Sequence, residues 1–152
     1  MATTVGQSKM LAFATNLEQA GDVVENNLLG GVRKQLKRGV AFSADGKAEL
    51  LRMTDRLLAN VRAAAAVFAT DDERAARVLA AEKASFRAME AEATRAHFER
   101  LRQGRADTAE SSSRHLDVLR DLKRVNDHLV AAAAYPVLEA KGELLPTRLR
   151  QE

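Results

Sequence analysis

The 152-residue sequence predicts an all-α fold, an up-down-up-down bundle of four long antiparallel helices. Three observations predict it. The composition is rich in Ala, Leu, Arg and Glu, with eight Gly, two Pro and few aromatic residues, the balance of a helical protein. Apolar residues recur at steps of three and four through long stretches. Helix-ending and helix-starting residues fall between those stretches, at Gly39, at Thr70-Asp71-Asp72-Glu73 and at Gly104.

The first helix is expected over residues 8–38, after a flexible segment 1–7. Its stripe is Met10, Phe13, Leu17, Ala20, Val24 and Leu28, extended by Val32 and Leu36. Gly30-Gly31 loosens it, since each mid-helix Gly costs about 1 kcal/mol against Ala. Arg33, Lys34, Lys37 and Arg38 crowd its last turns. They complement the helix macrodipole, or they meet an anionic partner. Ser43 is a good N-cap for a second helix over 44–69, with stripe Leu50, Met53, Leu57, Val61, Ala64 and Phe68. Thr70 to Glu73 has the form of a capping box, with the Thr hydroxyl at the N-cap and Glu73 reaching back.

The third helix is expected over 71–103. Glu82 interrupts its stripe (Ala75, Leu79, Phe86, Met89, Ala93, Leu101) and His97 sits at the edge. Both need partners from a neighbouring helix or a route to water. Asp107-Thr108-Ala109-Glu110 can cap the fourth helix, over 108–140, and Pro136 should kink or end it. The bundle then closes at about residue 142, with a short tail over 143–152. Leu17, Leu57, Phe86 and Leu122 are expected in the core.

Composition narrows the function. No Cys is present, which excludes disulfides and thiolate metal sites and fits a reducing compartment. No apolar run approaches the ~18–20 residues of a membrane span, and no signal peptide is visible, so the chain is expected to be soluble and cytoplasmic. The 24 basic and 21 acidic residues are interspersed, giving a net charge of +3. With one Tyr and no Trp, the pattern of a nucleic-acid binder is missing. No Glu-x-x-His, His-Glu-x-x-His or Gly-rich phosphate loop occurs, and no Ser/His/Asp layout stands out. No catalytic residues are expected.

One pattern occurs twice. NLEQAGDVV (residues 16–24) aligns without gaps on DLKRVNDHL (residues 121–129), matching Leu17 with Leu122, Ala20 with Val125, Asp22 with Asp127 and Val24 with Leu129. Glu18, Asp22 and Glu25 fall within an arc of about 60° beside the first helix's stripe. Carboxylates one turn apart are a feasible oxygen pair for a cation. Asp127, Asp121, Glu82, His128 and His97 are the candidates to complete such a site. On the fourth helix, Lys123 and Arg124 beside Asp127 favour simple charge pairing.

NLEQAGDVV resembles the Leu-Glu-Arg-Ile-Gly-Asp motif of the PhoU family. The wider layout resembles the PhoU-like cytosolic domain at the C-terminus of sodium/phosphate cotransporter family proteins. Three more segments carry the likeness: GVAFSADGKAEL (residues 39–50), HFERL (97–101) and SSRHLDVLRDLKRVNDHLVAAAAYPVLEAKGEL (112–144). The resemblance implies a regulatory or accessory domain, not an enzyme, that works with a phosphate transporter membrane domain or another phosphate-signalling protein. It also implies a divalent or ferric cation on paired carboxylates, which here map to Glu18, Asp22 and Asp127, with Glu25 and Glu82 as further candidates. Lys123 stands where the second motif carries an acid, a departure from the family pattern. A homo-oligomer is compatible with this reading. The competing readings are a carboxylate-bridged metal-binding bundle and a plain helical adaptor.

Overall fold

The computed structural model describes residues 2–143, and among them there are four long helical rods and no strand. The first, α1 (residues 2–38), joins the α-helix Ala2–Asp22, a π-helical stretch Val23–Leu29 and the α-helix Gly30–Arg38. α2 is Ala44–Thr70 and α3 is Glu73–Arg102. α4 (residues 106–140) joins Ala106–Leu129, a π-helical stretch Val130–Ala134 and Tyr135–Ala140. The predicted all-helical bundle is what forms. Residues expected to be a flexible lead are helical from Ala2 onward, and the tail beyond Glu143 lies outside the described residues.

The ends of the rods show which local signals act. Gly39 ends α1 at φ 65°, a left-handed conformation open to glycine without a Cβ clash. Ser43 caps α2 as expected, its hydroxyl accepting from the Gly46 amide at 3.1 Å. The Thr70 capping box does not form. Thr70 is still inside α2 and its hydroxyl donates to the Ala66 carbonyl at 2.7 Å. Asp71 takes the left-handed turn at φ 55°, and Asp72 becomes the N-cap of α3, accepting from the Ala75 amide at 2.6 Å. The run of two aspartates offers a second acceptor two residues later, and that one wins.

Two further expectations are corrected. α4 starts at Ala106 behind Arg105, without a side-chain cap, while Asp107 accepts from the amide of its neighbour Thr108 at 2.8 Å. Pro136 neither ends nor begins the break in α4. The π-helical stretch lies just before it, and the helix continues through it to Ala140. The wider π turn makes room for a ring that would otherwise press on the preceding turn.

The core is built by α2, α3 and α4, with Phe86, Met53, Leu79 and Leu119 fully enclosed. α4 is its centre. It packs along α3, α2 and α1, and its stripe of Val118, Leu122, Val125, Leu129 and Ala132 is buried throughout. Leu57, Phe86 and Leu122 are buried as expected, but Leu17 is 45% exposed. α1 leans chiefly on α4 and touches α2 near one end, where Phe13 stacks on Phe68 at 3.9 Å. Among its described side chains it therefore buries only Ala20 and Val23, and Met10, Val24, Val32 and Leu36 face outward with Leu17. Val61 of α2, also expected in the core, is exposed as well.

Candidate functional site

The repeated motifs meet, as an antiparallel pair of first and fourth helices requires. Asn16 of α1 lies 3.3 Å from His128 Nδ1 of α4, and the Asn27 amide donates to Asp121 Oδ1 at 3.3 Å. Between these two contacts runs an open groove of about 390 Å³, lined by Asp22, Asn26, Asn27, Arg124 and His128 among others. It continues toward the α1 C-terminus as a second groove of about 450 Å³, bordered by Lys34, Arg38, Arg114, Asp117 and Arg120.

Arg114 is the joint between the two rods. Its guanidinium occupies the space a side chain on Gly31 would need: a Cβ there would lie 1.8 Å from Arg114 Cζ. From that position Nη2 donates to the Asn27 and Leu28 carbonyls at 3.1 and 3.0 Å. Both carbonyls belong to the π-helical stretch of α1, where the regular i→i−4 ladder is interrupted. A cation from α4 thus adds a donor to two carbonyls of the π-helical stretch, of which that of Asn27 also accepts from the Gly30 amide. Gly31 is part of a built contact with α4.

The predicted carboxylates are dispersed. Glu18, Asp22 and Glu25 of α1 are exposed, and of these only Asp22 borders the groove. Asp127 accepts from Lys123 Nζ at 3.0 Å through Oδ2, the charge pairing that Lys123 suggested, while its Oδ1 is buried without a partner among the described residues. Glu82 lies across the core, on α3. It is held by Arg56 Nε at 2.8 Å and Nη2 at 2.5 Å, and by the Asn60 amide at 3.0 Å. The Arg56 hydrogen bonds keep its carboxyl below the usual range. Among the described residues, no group of three or more His, Asp or Glu side chains is disposed to hold a metal ion.

His128, at the far end of the groove, is held below its ordinary value by burial and by the nearby Arg124, against the pull of Asp127. His97 points elsewhere. It is enclosed in the bundle, 2.7 Å from the Ser112 hydroxyl and stacked on His115 with ring centroids 4.9 Å apart. Burial pushes both rings down, and the Arg100 charge adds to that, while Glu49 opposes it.

This second polar cluster was not legible as a unit. Glu49 of α2 receives both Arg100 Nη atoms, at 2.7 and 3.1 Å, and its Oε2 lies 3.2 Å from His115 Nε2. A further buried bond joins the Asn60 amide to Asn126 Oδ1 at 2.8 Å, between α2 and α4. Glu49 and Asn60 were hidden in plain periodicity: they fall on the same face of α2 as Met53 and Leu57, and a polar residue in an apolar stripe is the signal that finds them.

The sequence pattern of the PhoU domain matches residues 50–135, more than half of the chain. The chain belongs to the PhoU domain family. It is 39% identical over 132 residues to the Salmonella typhimurium (strain LT2) protein named "Putative inorganic phosphate export protein YjbB", a match covering 87% of this chain and 24% of that protein. With the protein of the same name from Escherichia coli K12 it shares 38% identity over 136 residues, 90% of this chain and 25% of that one. The PhoU chain thus spans about a quarter of the length of these relatives. No solved structure matches it. The PhoU pattern covers most of α2, all of α3 and most of α4, and leaves α1 outside, whereas the relatives match 87–90% of the chain.

Proposed function

We propose that this PhoU domain is a non-enzymatic regulatory module of phosphate transport. In this reading it acts on the cytoplasmic side through contacts with a phosphate transporter membrane domain. The observation that supports this best is the match over nearly the whole chain to about a quarter of proteins named for inorganic phosphate export. The structure is consistent with a docking part rather than a spanning part. No helix among the described residues is long and apolar enough to cross a membrane. The buried polar groups are engaged largely with one another across α2, α3 and α4, which holds a fixed shape.

Metal belongs to the same proposal in a limited form. Glu18 and Asp22 are open to solvent on α1, and Lys123 already engages Asp127, so a cation on this carboxylate pair needs further oxygen ligands from outside the chain. The isolated domain is expected to bind divalent or ferric ions weakly, with Glu18→Gln, Asp22→Asn removing what binding there is.

The test is reconstitution. Vesicles carrying a YjbB-type export protein from which the segment matched by this chain has been removed are loaded with phosphate, and efflux is measured with and without the added domain. The expected result is binding of the domain to those vesicles and a changed efflux rate. Unchanged efflux together with no binding above that of empty vesicles would overturn the proposal.

A further inference from the structure

Seven of the twelve exposed large apolar side chains among the described residues lie on α1. They are not scattered. Met10, Ala14, Leu17, Gly21 and Val24 follow 4-3-4-3 steps and all face outward. The series resumes at Leu29, Val32 and Leu36 after a single step of five. That long step falls across the π-helical stretch Val23–Leu29. A π turn takes up one extra residue, so the two halves of the seam stay in line along the rod. Continuous 4-3 spacing is the pattern one helix presents to another in a two-stranded coil. α4 does not cover it, because α4 takes the neighbouring face that holds Ala20 and Val23.

The seam is complementary to itself when reversed. If α1 is laid antiparallel on a second α1, one register sets Leu17 against Leu36 and Val24 against Leu29. The same register sets Gly21, the smallest residue of the seam, against Val32. Charge follows the same rule. Glu18 flanks Leu17, whereas Arg33 flanks Val32 and Lys37 flanks Leu36. In the antiparallel register Glu18 of one copy faces Arg33 and Lys37 of the other, twice over by symmetry. None of the three has an ion-pair partner within the chain among the described residues. A parallel register would instead stack the acidic half on itself and the basic half on itself.

We propose that α1 is the contact helix of a symmetric antiparallel homodimer, and that the occupant of its exposed seam is a second copy of this chain. The register has one unfavourable point. Glu25 falls beside the two-fold axis, where it opposes its own copy. Removing that charge should tighten the dimer.

Sedimentation velocity on the full chain, from micromolar to millimolar concentration, tests this directly. A concentration-dependent dimer is expected. Leu17→Glu and Leu36→Glu should each raise its Kd by about tenfold or more, as loss of a central apolar contact does. Both positions are exposed, so circular dichroism should report an unchanged helical monomer. Glu18→Lys should weaken the dimer, and adding Arg33→Glu with Lys37→Glu should restore it. Glu25→Gln should lower the Kd. A chain that stays monomeric at millimolar concentration overturns the proposal. So does a dimer untouched by both Leu→Glu variants, or one that the triple charge reversal fails to rescue.

Discussion

Residues 16–24 of α1 and 121–129 of α4 carry the same spacing of apolar residues and the same aspartate, yet the two helices bury different things. In α4, Leu122, Val125 and Leu129 are all enclosed, and Asn126 and Val130 beside them are fully buried. In α1, Ala20 is enclosed while Leu17 and Val24 face out. The difference is one of neighbours. α4 is surrounded by three helices and needs a wide apolar face, which it has because buried residues lie on both sides of its stripe. α1 has one principal neighbour. It seats Ala20 and Val23 against α4 and leaves Leu17 and Val24 outside. Periodicity specifies that a helix has an apolar line, but the number of helices packed around it decides whether that line becomes core.

The largest effect that can break this comparison is truncation of the matched leucines. Leu122→Ala should cost about 2–5 kcal/mol, the transfer and cavity terms of a closed site. Leu17→Ala, measured by urea denaturation at dilute concentration, should stay within about 0.5 kcal/mol, as for an exposed position. Equal losses at the two sites would show that the motifs do equivalent work and that α1 is not the peripheral helix.

Acid should act on the α3–α4 side alone. All three histidines of the chain lie on α3 and α4, and burial depresses each of them. The unfolded chain takes up protons as pH falls through the ordinary value of 6.5, whereas the folded chain takes them up only at lower pH. The stability tied to neutral histidine is therefore complete above that value and is lost progressively below it. Denaturation midpoints at neutral and mildly acidic pH should fall in that order. His97→Gln or His115→Gln should flatten the dependence even where the variant is less stable at neutral pH. A midpoint that rises on acidification would contradict the assignment of these rings as neutral.

These contrasts also show what was readable beforehand. The number of rods, the Ser43 cap, the turn at Gly39 and the core roles of Leu57, Phe86 and Leu122 all follow from local chemistry or strong periodicity. The pairing of Glu82 was legible too, because a carboxylate in an apolar stripe needs a partner, and Arg56 supplies it. The cap at Asp72 was not, because Thr70 and Asp72 are both good N-caps and the choice rests on where α2 stops. The two π-helical stretches were invisible, since neither Gly30-Gly31 nor Pro136 states whether a helix will break or widen. The Glu49–Arg100–His115 cluster needs three helices in place before its members meet.

The joint between α1 and α4 gives the next prediction. Gly31→Ala places a methyl where the Arg114 guanidinium sits, so that side chain must leave and the Asn27 and Leu28 carbonyls lose the hydrogen bonds it donates. Losing those hydrogen bonds should outweigh the helix-propensity gain, for a net cost of about 1 kcal/mol. Arg114→Met should cost a similar amount, and combining the two should cost less than the sum, since both remove the same contact. Additive losses would separate the glycine from the arginine.

Gly21→Ala is the smallest effect and the cleanest control. It is a glycine in the same rod with nothing within 4 Å of the position of a new Cβ, and its exposed site faces away from α4. The only terms left are the backbone entropy that alanine removes from the unfolded chain and the propensity gained in the helix. Under dilute, monomeric conditions the variant should be more stable by about 0.5–1 kcal/mol. At high concentration the same methyl acts differently, because Gly21 is the position that accepts Val32 of a second copy in the antiparallel register, and the added bulk should weaken association. One substitution then moves folding and pairing in opposite directions. A Gly21→Ala variant that gains stability and also dimerises more tightly would leave α1 peripheral to the core but would reject the register drawn for its outer seam.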